Sequence, residues 1–266
     1  GVDLVIYSLA SPKRTDPKTG VTHSSVLKTT GQQFKEKTVN VMTGEVQEIT
    51  IDPASEEETN NTIKVMGGED WALWMDALLD AGVLAEGATT IAYSYIGPEI
   101  TYPIYRQGTI GAAKKHLEET TKAINEKLSA IKGRALISVN KVVVTQASAA
   151  IPIVPLYAAI VYKVMKDKGN HEGCIEQIYR LFAGLYAKQS LNIDEHGLLR
   201  LDDWELQDDV QTEVKAIWEQ INSDNIESIA DLKSYREEFY RLFGFGLENV
   251  DYQTNVDAEK KITSLS

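Results

Sequence analysis

The sequence has little of what disulfide-bonded, nucleic-acid-binding or membrane-spanning proteins require. It contains one cysteine, Cys174, so no internal disulfide can form and a reducing compartment, the cytoplasm, is expected. A net charge of −12 at pH 7 argues against the broad cationic surface that binds nucleic acid or an anionic membrane. The longest apolar run, residues 149–164, is interrupted by Pro152 and Pro155 and is shorter than the roughly 20 residues that span a bilayer. We therefore expect neither a nucleic-acid partner nor a membrane segment.

The glycine-rich turn that holds phosphate in dinucleotide-binding folds is also missing. No Gly-x-Gly-x-x-Gly occurs in the 266 residues, although a dinucleotide pyrophosphate normally rests on such a turn and on the helix N-terminus that follows it. The chain opens instead with residues 2–7, an apolar run that predicts a strand buried on both faces of a parallel sheet. Because such a strand usually follows earlier strand–helix units, we expect the first half of the domain to lie outside this sequence.

The first 150 residues alternate between predicted strands and helices. Residues 13–58 form a polar excursion with one alternating run, residues 46–51, that predicts a small hairpin. Ser55 stands before three glutamates, as at a helix start, and residues 69–79 carry apolar side chains at helical spacing. The remaining elements predicted here are strands at residues 89–95 and 135–144 and an amphipathic helix at residues 109–128.

After residue 148 the pattern is helical almost to the end. Four segments show apolar residues on a three-to-four period, separated by clusters of Gly, Asn, Asp and Ser. They are residues 151–168, 172–187, 202–221 and 229–243. The prediction is an α/β fold in which residues 1–150 carry a Rossmann-like parallel sheet, the second half of its domain, and residues 151–266 form a large helical portion that covers it.

The densest cluster of reactive side chains lies between residues 93 and 115. A tyrosine and a lysine on one polar face form an acid pair, because a nearby ammonium favours phenolate and lowers the pKa of the phenol. Eight residues separate Tyr105 from Lys114. A helix that starts at residue 109 would bring the two within about two to three turns, where a bound cofactor could bridge them. The alternative, rim tyrosines beside a solvated face of Lys114 and Lys115, stays open on spacing alone.

The sequence resembles a known family in five separated blocks that occur in the same order. One block, residues 93–115, carries Tyr95, Tyr105 and Lys114 in and between its segments 93–97 and 108–115, and it resembles the signature of the trans-2-enoyl-CoA reductases and the related enoyl-[acyl carrier protein] reductases. The other matching blocks are residues 6–12, 65–71, 144–148 and 171–177. The resemblance spans nearly the whole chain, and several ordered blocks are far more specific than any single one.

The resemblance implies an activity and a role for each site residue. The activity is the NADH-dependent reduction of a trans-2-enoyl group carried on coenzyme A or acyl carrier protein, in fatty acid synthesis, by a monomeric enzyme. Residues 1–150 would belong to the NAD-binding domain and residues 151–266 would bind the substrate. Tyr105 would donate the proton, Lys114 would bind the nicotinamide ribose, and Tyr95 would contact the thioester. The residues that would line the cofactor are Leu9, Ala10, Val143, Val144 and Thr145.

Two further groups of side chains have a structural interpretation as well as a functional one. His171 and Cys174 lack a second ligand pair at zinc spacing, so we expect no metal site and interpret Asn170 as the cap of a helix. Lys13 and Arg14 follow the first strand directly, where cations usually form a solvated turn. In an acidic protein that holds the phosphates of coenzyme A, they are also candidates for binding those phosphates.

Two other functions remain open at this stage. A carbonyl reductase of the short-chain type also pairs tyrosine with lysine, but three residues usually separate the two, against eight here. The second alternative is a non-catalytic helical interaction module left from a truncated reductase. The missing phosphate-binding turn favours it.

The missing turn leads to a prediction about cofactor affinity. A polypeptide of residues 1–266 alone should bind NADH weakly, because nothing in it supplies the glycine-rich turn on which the pyrophosphate normally rests. Isothermal titration calorimetry checks this, and tight binding by this polypeptide alone would contradict it.

Overall fold

A computed structural model describes residues 1–9, 11–187, 189–257 and 259. At its centre lies a four-stranded parallel sheet, and two antiparallel hairpins stand beside it. The strands among these residues are β1 (Val2–Tyr7), β2 (Lys13–Thr15), β3 (Thr22–Ser24), β4 (Phe34–Asn40), β5 (Glu45–Ile51), β6 (Leu84–Ser94), β7 (Arg134–Val139) and β8 (Leu199–Arg200).

The central strand of the sheet is β6, which pairs in parallel with β1 on one side and with β7 on the other. Its middle is a nearly continuous buried run, with Ile91 and Ala92 fully enclosed, as is typical of a strand that is covered on both faces. The edge strand β1 differs, because Val2 and Ile6 are 41% and 37% exposed. Among the described residues β1 is thus the edge of the sheet, and its burial on both faces in the whole domain stays a prediction.

The fourth strand, β8, comes from the helical half of the sequence. It pairs with the end of β7 through Ser138 and Val139, and it extends the sheet order to β1-β6-β7-β8. Two residues are too few to show an alternating pattern, so the sequence did not predict this strand. The predicted α/β class with a parallel sheet is confirmed, and the boundary at residue 150 stays a prediction.

The polar excursion contains two hairpins, where one was predicted. β2 pairs with β3, and β4 pairs with β5 over their full lengths. The second hairpin packs on the helical portion, because Val39 and Ile51 join its core, and Lys37 Nζ donates hydrogen bonds to the Trp218 and Ile221 carbonyls at 2.9 and 3.2 Å. An ammonium at a helix C-terminus complements the helix dipole.

The helices follow the predicted segments, with shifted ends. Ser55 caps the first helix through a reciprocal capping box with Glu58. Helix α5 starts at Val154 and not at residue 151 as predicted, because Ile153 has φ +65°, which is not a helical conformation. The helices are α1 (Glu56–Met66), α2 (Glu69–Asp80), α3 (Thr109–Leu128), α4 (Gln146–Ala149), α5 (Val154–Lys168), α6 (Cys174–Tyr186), α7 (Asp208–Gln220), α8 (Ile226–Ile229) and α9 (Leu232–Arg241).

Two main cores hold these elements together. One surrounds α5, whose residues from Val154 to Tyr162 are buried among β4, α7 and α9. The other lies between the sheet and α2 and α3, around Trp71, Leu117 and Ile137. No helix within the described ranges is long and apolar enough to cross a membrane.

An ion-pair cluster fixes the start of α2 against the strand segment at Arg14. The Arg14 side chain is 10% exposed; its Nη1 lies 2.6 Å from Glu69 and its Nε 3.2 Å from Asp70. Tyr7 donates a hydrogen bond to the same Asp70 at 3.2 Å. The acidic first turn of α2 therefore has a structural role.

Replacing Arg14 with alanine should lower the free energy of unfolding by about 2 kcal/mol, because the partly buried Asp70 loses its cation and Glu69 keeps only its pair with Lys64. Urea denaturation measures the change. The matched control is Lys132→Ala, which removes an exposed pair with Glu86 and should cost well under about 1 kcal/mol. Equal effects from the two variants would contradict this account.

Candidate active site

The parallel sheet brings the predicted site residues to one edge. The carboxyl ends of β1, β6 and β7 lie together, because these strands run in the same direction. Leu9 follows β1, Tyr95 follows β6, and residues 143–145 follow β7. Ligands of open parallel sheets bind at this edge, outside the carboxyl ends of the strands. Ala10, the other predicted cofactor residue, lies outside the described residues.

Tyr95 and Tyr105 form an edge-to-face pair at this edge. Their ring centroids lie 4.9 Å apart with an interplanar angle of 79°. Gly97 makes room for the pair: it has φ +75°, and a Cβ added there would stand 2.8 Å from the Tyr95 hydroxyl oxygen. The two tyrosines, ten residues apart in sequence, are therefore in direct contact.

The segment that carries Tyr105 is held against the start of α3 by close backbone approach. The Tyr105 amide donates to the Thr101 carbonyl at 2.9 Å. A Cβ on Gly111 would lie 1.9 Å from the Arg106 carbonyl oxygen, so no larger residue fits in this arrangement. The glycine of the matched block thus allows the tyrosine segment to pack directly on the first turn of α3.

Lys114 points from α3 to the carboxyl end of the central strand. Its Nζ donates a hydrogen bond to the carbonyl oxygen of Tyr93, at 3.3 Å. Burial lowers the pKa of Lys114 to about 8, and the Glu118 carboxylate opposes this shift. Because an ammonium has three donors and Tyr93 is its one hydrogen-bond partner among the described residues, further donors are available to a ligand.

Burial also acts on the phenol of Tyr105, which is 7% exposed. It raises the pKa of Tyr105 above its ordinary range, and the structure does not show the lowering that was expected from the Lys114 ammonium. The physical reason is that desolvation disfavours phenolate and no cation compensates. A phenol with a raised pKa keeps its proton at neutral pH, as a hydrogen-bond donor must.

The segment after β7 is fixed by its own hydrogen bonds. The Val144 amide donates to the Tyr162 hydroxyl at 3.2 Å. Thr145 caps α4 through a capping box with Ser148, whose hydroxyl donates to the Val143 carbonyl at 2.8 Å. Val143 and Thr145 remain partly exposed and Val144 is buried.

Two buried residues that the sequence did not single out lie behind the tyrosine pair. Glu205 and Lys141 are 0% and 1% exposed, and Glu205 accepts a hydrogen bond from the Tyr95 hydroxyl at 3.2 Å. No local motif marks either residue. For Lys141 the one signal is a charged residue beside the apolar run 142–144. Glu205 stands among acidic residues and carries no such signal.

Two of the secondary interpretations change in the structure. Arg14 is engaged by Glu69 and Asp70, so it is an ion-pair partner and not a free cation for coenzyme A phosphates. Asn170 does not cap α6, which begins after Gly173, and the Glu176 side chain accepts from the Gly173 amide at 3.0 Å. Within the described ranges, no group of three His, Cys, Asp or Glu side chains could hold a metal ion.

Comparison with known proteins decides the family. A family model described as the trans-2-enoyl-CoA reductase catalytic region matches residues 1–186. The chain belongs to this family. The Cytophaga hutchinsonii enoyl-[acyl-carrier-protein] reductase [NADH] is 58% identical over 99% of this chain, and the Clostridium perfringens trans-2-enoyl-CoA reductase [NADH] is 59% identical over 96% of it.

Solved structures of the enoyl reductases show the same fold. The crystal structure of the Treponema denticola trans-2-enoyl-CoA reductase in complex with NAD is 52% identical, with a TM-score of 0.91 over 96% of this chain and 65% of that one. The two curated relatives are covered over 67% and 66% of their lengths. The chain thus spans about two thirds of the length of the enoyl reductases that it matches.

A second family model, described as the enoyl reductase FAD binding domain, matches residues 193–256. The groove beside α7, in this part of the chain, does not fit a flavin dinucleotide. Its volume is about 980 Å³, and the carboxylates that line it would repel a pyrophosphate, whereas Lys215 is the single cation in its lining. These carboxylates belong to Glu36, Glu99, Asp208 and Glu219.

The lowered pKa of Lys114 predicts a pH dependence of stability. Between about pH 8 and pH 10.5 the unfolded chain holds a proton that the folded chain has lost, so the free energy of unfolding rises with pH. Lys114 contributes at most about 1.4 kcal/mol per pH unit to that rise. In Lys114→Met the rise should be shallower, as measured by urea denaturation across this range.

The control is Lys115→Met, because Lys115 is the exposed neighbour on the same helix. Its pH dependence should match that of the unchanged protein. A Lys114→Met protein that keeps the full slope would show that this ammonium is not desolvated.

Proposed function

We propose that the protein reduces the double bond of trans-2-enoyl thioesters with NADH, in fatty acid synthesis. The observation that carries this proposal is the contact between Tyr95 and Tyr105 at the carboxyl edge of the sheet, with Lys114 anchored at the end of β6. The two relatives, 58% and 59% identical to this chain, are NADH-dependent reductases of enoyl groups on acyl carrier protein and on coenzyme A. We extend that activity to this chain, with either carrier as substrate.

Tyr105 stabilises the negative charge that develops on the substrate during the reduction. As the double bond is reduced, negative charge develops on the thioester oxygen as an enolate, and a phenol proton aimed at this oxygen stabilises the charge. The raised pKa of Tyr105 keeps that proton in place until the charge appears. Tyr95 packs on the Tyr105 ring and forms the adjoining wall, where it contacts the thioester.

The residues around the carboxyl edge fit a nicotinamide cofactor. Lys114 has donors available for ribose hydroxyls, and its position at the end of β6 is where dinucleotides bind in such sheets. Leu9, Val143, Val144 and Thr145 would line the nicotinamide half. Bound NADH supplies the hydride that adds at C3 of the enoyl group. We assign the phosphate-binding turn to a part of the protein other than residues 1–266, because no such motif occurs in them.

The setting of the enzyme is also part of the proposal. A single cysteine, free and exposed, suits a reducing compartment, so we assign the enzyme to the cytoplasm. We further propose that it acts as a monomer, without nucleic-acid or membrane partners, as its net charge of −12 favours.

Replacing Tyr105 with phenylalanine in the intact natural protein should lower kcat for crotonyl-CoA about a hundredfold or more, because the proton donor is lost while the ring remains. NADH oxidation measures the rate, with crotonyl-acyl carrier protein and a ketoacyl thioester as parallel substrates. Tyr102→Phe is the control, since this nearby tyrosine lines the groove beside α7, and it should keep the rate.

Unchanged enoyl reduction by Tyr105→Phe would overturn the assigned donor. An intact protein that reduces ketoacyl and not enoyl thioesters would support the carbonyl reductase alternative. A protein that does not oxidise NADH in the presence of either thioester would support the non-catalytic module.

A further inference from the structure

The carboxylate of Glu205 is the meeting point of three hydrogen-bond donors. Its Oε1 accepts from the Tyr157 hydroxyl at 2.7 Å and from the Tyr95 hydroxyl at 3.2 Å. Its Oε2 accepts from the Val142 amide at 2.8 Å. Because the side chain is fully buried, water does not compete for these bonds, and they fix the positions of all three partners.

The Glu205 network connects the two halves of the candidate active site. Tyr95 forms the wall against which the Tyr105 ring packs. Val142 directly precedes residues 143–145, the segment assigned to the cofactor. One side chain from the loop before α7 therefore holds both the substrate tyrosine and the backbone that leads into the cofactor segment.

The network also determines which tyrosine has a proton to give. Tyr95 donates its proton to Glu205, so this proton is not available to a substrate oxygen. Tyr105 donates to no group among the described residues, and burial is the one influence on its pKa. The two phenols lie side by side, and the hydrogen bond to Glu205 makes them chemically different.

Charge on the network is balanced inside the protein. Burial raises the pKa of the Glu205 carboxyl, and the buried ammonium of Lys141 is the main influence that opposes this shift. Lys141 Nζ donates to the Val142 carbonyl at 2.8 Å, next to the amide that Glu205 holds. Three donors converge on the carboxylate, which is the pattern that its ionised form satisfies.

We propose that Glu205 is a positioning residue for enoyl reduction. Its carboxylate fixes Tyr95 in place by accepting the hydrogen bond of the Tyr95 hydroxyl, so that Tyr105 is the one phenol of the pair that can donate to the substrate oxygen. The inference rests on the function proposed above and adds to it a residue from outside the tyrosine and lysine block. Glu205 touches neither substrate nor cofactor in this assignment and acts through Tyr95.

A double-mutant cycle on the intact natural protein tests the proposal. Glu205→Gln keeps the volume and an acceptor for the Val142 amide, but its NH₂ group cannot accept the tyrosine protons. We expect kcat with crotonyl-CoA to fall about tenfold to a hundredfold through misplacement of the donor, while KM for NADH stays within about twofold. Tyr95→Phe should lower kcat too, and the double variant should be no slower than the slower single variant.

The control is Glu172→Gln, which removes another buried carboxylate, one that pairs with Arg180 at 2.7 Å. It should reduce stability and keep kcat. The proposal is overturned if the effects of Glu205→Gln and Tyr95→Phe multiply in the double variant, or if Glu205→Gln keeps kcat. Either outcome leaves the proposed function intact, provided that the unchanged protein reduces enoyl thioesters and Tyr105→Phe does not. An unchanged protein without enoyl reductase activity overturns the proposed function and this inference together.

Discussion

The parallel pairing of β6 with β1 and β7 is the constraint on which the rest of the structure depends. It places three strand ends at one edge of the sheet, and the segments that follow them carry Leu9, Tyr95 and residues 143–145. Residues that are more than a hundred positions apart in sequence thereby share one site. Helix α3 then completes the arrangement, because it connects β6 to β7 and directs Lys114 back to the end of the central strand.

Desolvation gives these side chains their chemical character. The same burial lowers the pKa of Lys114 to about 8 and raises the pKa of Tyr105, so the protein favours the neutral form of both. The sequence suggested a different relation, in which the ammonium activates the phenol. The structure supports separate roles, in which the lysine offers hydrogen-bond donors and the phenol retains its proton.

Local patterns predicted much of this architecture. Helix α3 has the predicted bounds, the capping box at Ser55 marks the start of α1, and the strands β1, β6 and β7 were all expected. What failed cannot be read from a local pattern: β8 is two residues long and pairs with a strand about 60 positions away, and Ile153 interrupts the backbone before α5. Glu205 was not predicted for the same reason, because its partners Tyr95 and Val142 lie 110 and 63 positions away.

The central claim is that the Tyr105 phenol is the group that meets the developing enolate. A crystal structure of the intact protein with NAD and an unreactive enoyl-thioester analogue tests it most directly. The account predicts that Tyr105 Oη lies within about 3.2 Å of the thioester oxygen, with the Tyr95 hydroxyl still on Glu205 and Lys114 at the ribose. A thioester oxygen held by Tyr95, with Tyr105 turned away from it, would contradict the account.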